Sequence, residues 1–274
     1  MPKLKEKQSI GNIIVSTVIA LLSVVLIVLT IFPLQYSADE LRNKWLGVAV
    51  SRLLCAAIVV CLLVFMKIRL FGRVKQIAFV VPCLLVAINN FPFISYFHGN
   101  MRFVRTETVD VLCFALYCLS VGLFEEFVFR GVVFSALASI FPKDKKGLVK
   151  TFVVSSVLFG IVHLANIFGG AGIVPTLLQV LYTTLMGGVF AFVLLKTKNL
   201  FCCAFVHGLY NFGGLLLDTP ERMGLGTGVV FDTGTVLLTV ILGVCVAVFV
   251  LWNLYKYSEA ERSVLYKRLG LTKK

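Results

Sequence analysis

Charged residues are scarce in this chain, since they make up 14% of its 274 residues while hydrophobic residues make up 59%. No charged residue at all occurs between Lys7 and Asp39. A water-soluble globular domain needs more polar surface than this composition supplies, so the scarcity of charge excludes that class. We therefore interpret the chain as an integral membrane protein in contact with the lipid bilayer.

Acidic residues are fewer than basic ones, 13 against 26. The basic residues lie mostly at the termini and in every second connection between apolar segments, while the intervening connections are mixed or neutral. By the positive-inside rule this alternation predicts that the N- and C-termini are both cytoplasmic. It also accounts for the positive charge without a nucleic-acid partner.

Eight apolar segments are candidates for membrane crossings, each of which needs about 20 residues. The first lies between Lys7 and Asp39, and the others occupy roughly 46–66, 76–97, 109–141, 149–168, 173–195, 199–217 and 233–255. They predict an all-α polytopic membrane protein of eight transmembrane helices, a single domain over 1–274 with a cytoplasmic tail at 256–274. Seven crossings are the alternative, because the segment 199–217 is short and bounded by Lys198 and Asp218.

Clustered cysteines and nucleotide-binding loops are also missing. The eight cysteines all lie in apolar segments, without a CxxC or Cys/His grouping, and we interpret them as small hydrophobic residues rather than metal ligands or disulfides. Neither the loop 169–172 nor the loop 218–232 has a P-loop pattern.

Ionisable residues inside the predicted spans are few, and each is a functional candidate because a charge near the bilayer centre is costly. The set comprises Glu125, Glu126 and Arg130 in the fourth span, His163 in the fifth and His207 in the seventh. Arg52 is set aside, because it lies near the outer end of the second span and can extend to the interface.

Three pairs of residues are spaced four apart on these spans, which places both members of each pair on one helix face. The pairs are Glu126 with Arg130, Phe159 with His163, and His207 with Asn211. The pattern predicts one site assembled between helices four, five and seven. Helix packing alone is the alternative, and it is our interpretation of Asn89, Asn90 and Gln179. Packing does not call for two adjacent glutamates.

The motifs EEFVFR (125–130), FGIVH (159–163) and HGLYN (207–211) follow one another along the chain. Together they resemble the CAAX proteases and bacteriocin-processing enzymes, a family of intramembrane endopeptidases marked by EExxxR, FxxxH and HxxxN or HxxxD on successive helices. The resemblance covers about 100–217, the expected catalytic core. It implies a multi-pass protein of a bacterial cell membrane that hydrolyses a membrane-associated peptide or protein. The substrate would be a CAAX-type protein, a bacteriocin or pheromone precursor, or a peptide involved in self-immunity.

The resemblance also implies catalytic roles for Glu125, His163, His207 and Asn211. Glu125, aided by His163, would activate water, and His207 with Asn211 would stabilise the oxyanion. Glu126 is expected to pair with Arg130 and so to hold Glu125 in position, since a buried charge requires a partner. Phe159 is a supporting residue.

A metal ion is a further expectation. Glu125, His163 and His207 could form a three-ligand site for a divalent metal, zinc in our prediction, with the fourth position left for water. Members of the family are commonly labelled metalloproteases. A metal-free glutamate mechanism has also been proposed for the family and is the alternative. No HExxH places two histidines on one helix, so the metal ligands would have to come from three spans.

Two other functions use the same residues. In a proton- or cation-coupled transporter the carboxylates and histidines would relay protons or bind a cation, although the inverted repeats typical of transporters are not evident in the sequence. A non-catalytic immunity protein would bind a peptide without cleaving it. The complete motifs favour the peptidase.

Overall fold

A computed structural model of the protein describes residues 41–217, 224–228 and 233–271. Their architecture is all-α apart from one pair of short strands, as the sequence predicts. Five of the described helices are long and apolar enough to cross a membrane. The chain is thus an all-α polytopic membrane protein. The first predicted span, between Lys7 and Asp39, lies outside the described residues.

The helices are short or long according to where proline, glycine and charged residues interrupt the apolar runs. In chain order they are α1 Leu41–Phe65, α2 Val81–Asn89, α3 Phe93–Phe97, α4 Thr108–Glu126, α5 Phe134–Ile140, α6 Lys145–Ile161, α7 Ile173–Thr197, α8 Leu200–Gly214, α9 Thr233–Tyr255 and α10 Glu259–Arg268. A π-helical segment, Phe127–Val133, joins α4 to α5, and 3-10 turns over Ile77–Val80 and Val162–Ile167 precede α2 and follow α6. Strands β1 (Met101–Phe103) and β2 (Gly226–Gly228) pair antiparallel.

Two of the predicted spans correspond to helices that are too short to cross a membrane alone. In the segment 76–97 the helix is interrupted before Pro92, which lacks the N–H that a continuing helix needs. This leaves α2 with 9 residues, about 14 Å long. Helix α8 has 15 residues, about 22 Å, against a hydrocarbon core of about 30 Å. Eight full crossings therefore stay a prediction.

The basic connections meet on one side of the molecule. The Lys196 ammonium lies 3.2 Å from Glu261 of α10, and Arg268 of the same helix donates a hydrogen bond to the Lys198 carbonyl. The carbonyl of Arg268 in turn accepts from the backbone of Arg69. The connections 67–75 and 196–198 and the C-terminal tail therefore share a face, as the alternation of charge predicts. That this face is cytoplasmic stays a prediction.

Glycine allows α4 and α8 to touch through their backbones. A methyl group at Gly122 would lie 2.6 Å from the Ala204 carbonyl oxygen and 2.8 Å from the Gly208 nitrogen, closer than such atoms can approach. Small residues at helix crossings are typical of membrane proteins, where close packing replaces the hydrophobic effect. The contact brings the glutamates at the end of α4 next to the histidine of α8.

Candidate active site

A cavity of about 650 Å³ lies between the helices that carry the three motifs. The predicted residues Glu125, Phe159, His163, His207 and Asn211 all line it. The spans are thus folded so that their polar side chains meet at one place, which is the convergence that the sequence predicts. Much of the remaining wall is apolar and aromatic, with residues such as Phe91, Tyr117, Val121, Met186 and Tyr210.

The carboxylate of Glu125 is approached by a different residue on each oxygen. The Arg52 guanidinium Nη1 lies 3.4 Å from Oε1, and the His207 Nε2 lies 3.8 Å from Oε2. Both distances are longer than a strong charge-assisted hydrogen bond, which is about 2.7–2.9 Å. The Glu125 side chain is 15% exposed and lines the cavity. A carboxylate held in this way keeps capacity to accept a proton from a water molecule in the cavity.

The orientation of His207 is set by Glu126. The ring Nδ1 lies 2.9 Å from Glu126 Oε1, so the carboxylate accepts a hydrogen bond from Nδ1–H. Nε2 is then the ring nitrogen that faces Glu125. The ring also stacks on Phe190 of α7 at 4.6 Å between centroids, with planes 14° apart. A carboxylate behind a histidine fixes the tautomer and the orientation of the ring.

Glu126 and Arg130 form a fully buried ion pair, as the sequence predicts. Arg130 Nη1 lies 3.1 Å from Glu126 Oε1, with both side chains 0% exposed. Arg130 also donates a 2.8 Å hydrogen bond to the Gly187 carbonyl and lies 4.3 Å above the Phe159 ring. Glu126 of this pair contacts His207 and so holds the histidine in place, while its expected role in positioning Glu125 stays a prediction.

His163 is oriented by the backbone of its own motif. Its Nδ1 lies 2.9 Å from the Phe159 carbonyl oxygen, which can only accept, so Nδ1 carries the hydrogen. In the neutral ring Nε2 is then an acceptor. The Phe159 ring meets both histidines edge-on, at 5.4 Å from His163 and 5.7 Å from His207. Phe159 is therefore the aromatic spacer between the two imidazoles.

The predicted metal ligands do not form a ready coordination site. Within the part of the chain that the structure describes, no group of three His, Cys, Asp or Glu side chains is placed to hold a metal ion. Glu125 and His207 face each other, and the Glu126 carboxylate on the second nitrogen of His207 is a contact that metal-bound histidines also make, but His163 does not complete the group. The donor types suit zinc, whereas this arrangement of them does not fit a three-ligand site. The zinc requirement stays a prediction.

Two contributors to the site were not predicted. Arg52 was set aside because its charge could reach the outer interface, yet its side chain turns toward Glu125 and is 12% exposed. That interpretation was wrong, and the signal was present as a charge within an apolar span. Phe190 carries no comparable signal, since it is one of 24 phenylalanines in a hydrophobic chain.

The three amides assigned to helix packing do link different elements. Asn89 donates to Thr239 of α9, Asn90 donates to the Tyr210 carbonyl of α8, and Gln179 of α7 accepts from Asn166. The packing role is confirmed. All three also line the cavity, so its wall carries polar amide groups as well as aromatic residues.

Comparison with known proteins supports the family resemblance for the middle of the chain. Residues 107–213 match the family model described as Rce1-like, type II CAAX prenyl endopeptidase. The CAAX prenyl protease 2 of Saccharomyces cerevisiae (strain ATCC 204508 / S288c) is 31% identical over 111 residues. This stretch is 37% of the present chain and 35% of the relative, so the chain spans about a third of that protein's length. No solved structure matches the chain.

Proposed function

We propose that this protein is an intramembrane endopeptidase that hydrolyses a peptide bond of a membrane-associated protein or peptide. The observation that carries the proposal is the shared cavity lined by Glu125, His163, His207 and Asn211, with Glu126 bound behind His207. Peptide hydrolysis needs an activated water, a stabilised oxyanion and a proton for the leaving amine. The four residues that line the cavity supply each of these from a membrane-embedded position.

In the proposed reaction Glu125 acts first as general base. It removes a proton from a water molecule, whose oxygen forms a bond to the carbonyl carbon of the scissile peptide. The acceptor Nε2 of His163 helps to orient that water. When the C–N bond breaks, Glu125 passes the proton to the leaving amine. The carboxylate is thereby regenerated for the next cycle.

Hydrogen-bond donors on α8 stabilise the negative charge that develops on the carbonyl oxygen. His207 has Nδ1 bound to the Glu126 carboxylate, and when the ring is protonated it presents Nε2–H as a donor. Asn211, one helical turn later, offers a neutral amide donor. Donors held in place before the reaction stabilise an oxyanion without reorganisation. Glu126 and Arg130 act from outside the cavity by orienting His207.

We assign the substrate to the CAAX type, a peptide anchored to the membrane by a prenyl group on cysteine. The matched family and the yeast relative, both described as CAAX prenyl proteases, support this choice. The aromatic and apolar cavity wall is compatible with a substrate that arrives from the lipid. Processing of an unprenylated bacteriocin or pheromone precursor is the alternative within the same chemistry.

The substrate assignment predicts cleavage of a prenylated CAAX peptide by the purified protein in proteoliposomes. We expect mass spectrometry to detect a new C-terminal fragment, and the same peptide without the prenyl group to be cleaved at least about tenfold more slowly because it partitions poorly into the bilayer. Equal cleavage of both peptides would favour the precursor-processing class. Absence of cleavage of prenylated and unprenylated membrane-bound peptides alike would contradict the endopeptidase proposal.

The zinc prediction has a direct test. If Glu125, His163 and His207 rearrange to bind zinc, elemental analysis of the purified protein should find about one zinc per chain. Exhaustive chelation should then remove the activity, and added zinc should restore it. Full activity after chelation, with no metal remaining, would exclude a metal requirement and leave the glutamate mechanism described above.

A further inference from the structure

Arg52 reaches the site from a helix outside the stretch that matches the family model. It lies on α1, whereas the match covers residues 107–213. Its guanidinium lines the cavity and lies 3.4 Å from Glu125 Oε1, with 12% of the side chain exposed. A lipid-facing arginine would extend to the headgroups instead. The position of Arg52 against a carboxylate inside the membrane therefore calls for a reason.

The bonding between Arg52 and Glu125 is incomplete. Its Nε is buried and has no hydrogen-bond partner among the described residues. The single contact to Glu125 uses one nitrogen, where arginine and carboxylate commonly form two parallel bonds. An unpaired buried donor costs free energy, so the single long contact leaves Arg52 and Glu125 weakly bound to each other.

The contacts of Glu125 define what Arg52 does. Among the described residues, Arg52 from α1 faces one carboxylate oxygen and His207 from α8 faces the other. A glutamate has three rotatable side-chain bonds, and here it borders an open cavity. Partners on both oxygens fix the plane of the carboxylate, whereas His207 alone would leave it free to rotate about its contact.

We propose that Arg52 is a positioning residue that aims the Glu125 carboxylate at the water to be activated. The inference rests on the proposed role of Glu125 as general base and adds α1 to the catalytic machinery. It also balances the site, because the two guanidiniums of Arg52 and Arg130 then accompany the two carboxylates of Glu125 and Glu126. Arg52 acts through Glu125 and does not itself hold the substrate.

The test compares Arg52→Gln, Arg52→Lys and Arg42→Gln in the proteoliposome assay. Arg42 is a matched control, because it lies on the same helix and pairs with Glu107 and Asp110, away from the cavity. We expect Arg52→Gln to lower kcat by about tenfold to a hundredfold, the loss that follows a displacement of about 1 Å at a reacting group, with KM changed less than about twofold. Arg52→Lys should recover part of kcat, since it keeps the charge without the planar fork. Arg42→Gln should leave kcat unchanged.

A binding measurement separates positioning from substrate recognition. In the Glu125→Gln background, Arg52→Gln should leave the Kd for the uncleaved prenylated peptide unchanged. A wild-type kcat for Arg52→Gln, or a weaker Kd in this background, would overturn the inference. If Glu125→Gln alone remains fully active, the general-base assignment fails, and the Arg52 inference fails with it. Loss of activity in Glu125→Gln together with normal activity in Arg52→Gln removes only the inference.

Discussion

Replacement of Glu125 by glutamine is expected to abolish peptide hydrolysis while the protein stays folded. Glutamine has nearly the same shape, and Glu125 borders a cavity, so the packing around it changes little. The amide cannot accept the proton of the attacking water. Removal of a general base lowers the rate by about 10² to 10⁴-fold. The measurement is kcat for the prenylated peptide, with thermal unfolding of the detergent-solubilised protein followed in parallel.

Glu107→Gln provides the control for this substitution. Glu107 precedes the same helix, α4, and pairs with Arg42, but its side chain is 74% exposed and lies outside the cavity. Surface ion pairs of this kind contribute little. We therefore expect wild-type kcat for Glu107→Gln. Cleavage by Glu125→Gln at the wild-type rate would remove Glu125 from the mechanism.

Replacement of Arg130 by methionine is expected to destabilise the protein by about 3–5 kcal/mol, the usual consequence of removing one partner of a buried ion pair. Methionine fills much of the same volume, so the effect arises from charge rather than from a void. Glu126 would keep a fully buried carboxylate with only His207 as its described partner. A large fall in apparent Tm, or in resistance to denaturant in detergent, measures this loss.

The double substitution Glu126→Gln with Arg130→Met separates stability from catalysis. Without the buried carboxylate, the methionine no longer leaves an unpaired charge, and we expect most of the lost stability to return. Activity should remain low, because His207 loses the negatively charged partner on its Nδ1. A single Arg130→Met protein as stable as the wild type would contradict the ion-pair argument. Full activity in the double variant would contradict the role of Glu126.

Much of the site was predictable because charge is so costly inside a membrane. Glu125, Glu126, Arg130, His163 and His207 stand out from their apolar surroundings, and a spacing of four residues places partners on one helix face. The pairing of Glu126 with Arg130 followed from the same reasoning. The link from Glu126 to His207 did not, because it depends on how closely two helices approach, and only tertiary packing determines that.

The less predictable features depend on depth and on backbone breaks. Hydropathy indicates that a segment is apolar but not whether a helix continues through it. The interruption before Pro92 and the shortness of α8 therefore leave two predicted spans with helices too short to cross a membrane alone. Arg52 is recognisable in the sequence as a charge within an apolar span, but the direction of its side chain could not be inferred without the position of Glu125. Aromatic contacts such as Phe190 on His207 are determined entirely by packing.

The glycine contact between α4 and α8 has a consequence for how this protein could be modified. Main-chain atoms of α4 and α8 are in contact at Gly122. The distance between these two helices is therefore set by their backbones rather than by side-chain volume. Replacing side chains along the α4–α8 contact by smaller ones would not move the two helices apart, so it would not make room for a bulkier substrate there. Engineering of the substrate range has to begin at side chains that line the cavity elsewhere, such as Met186 of α7.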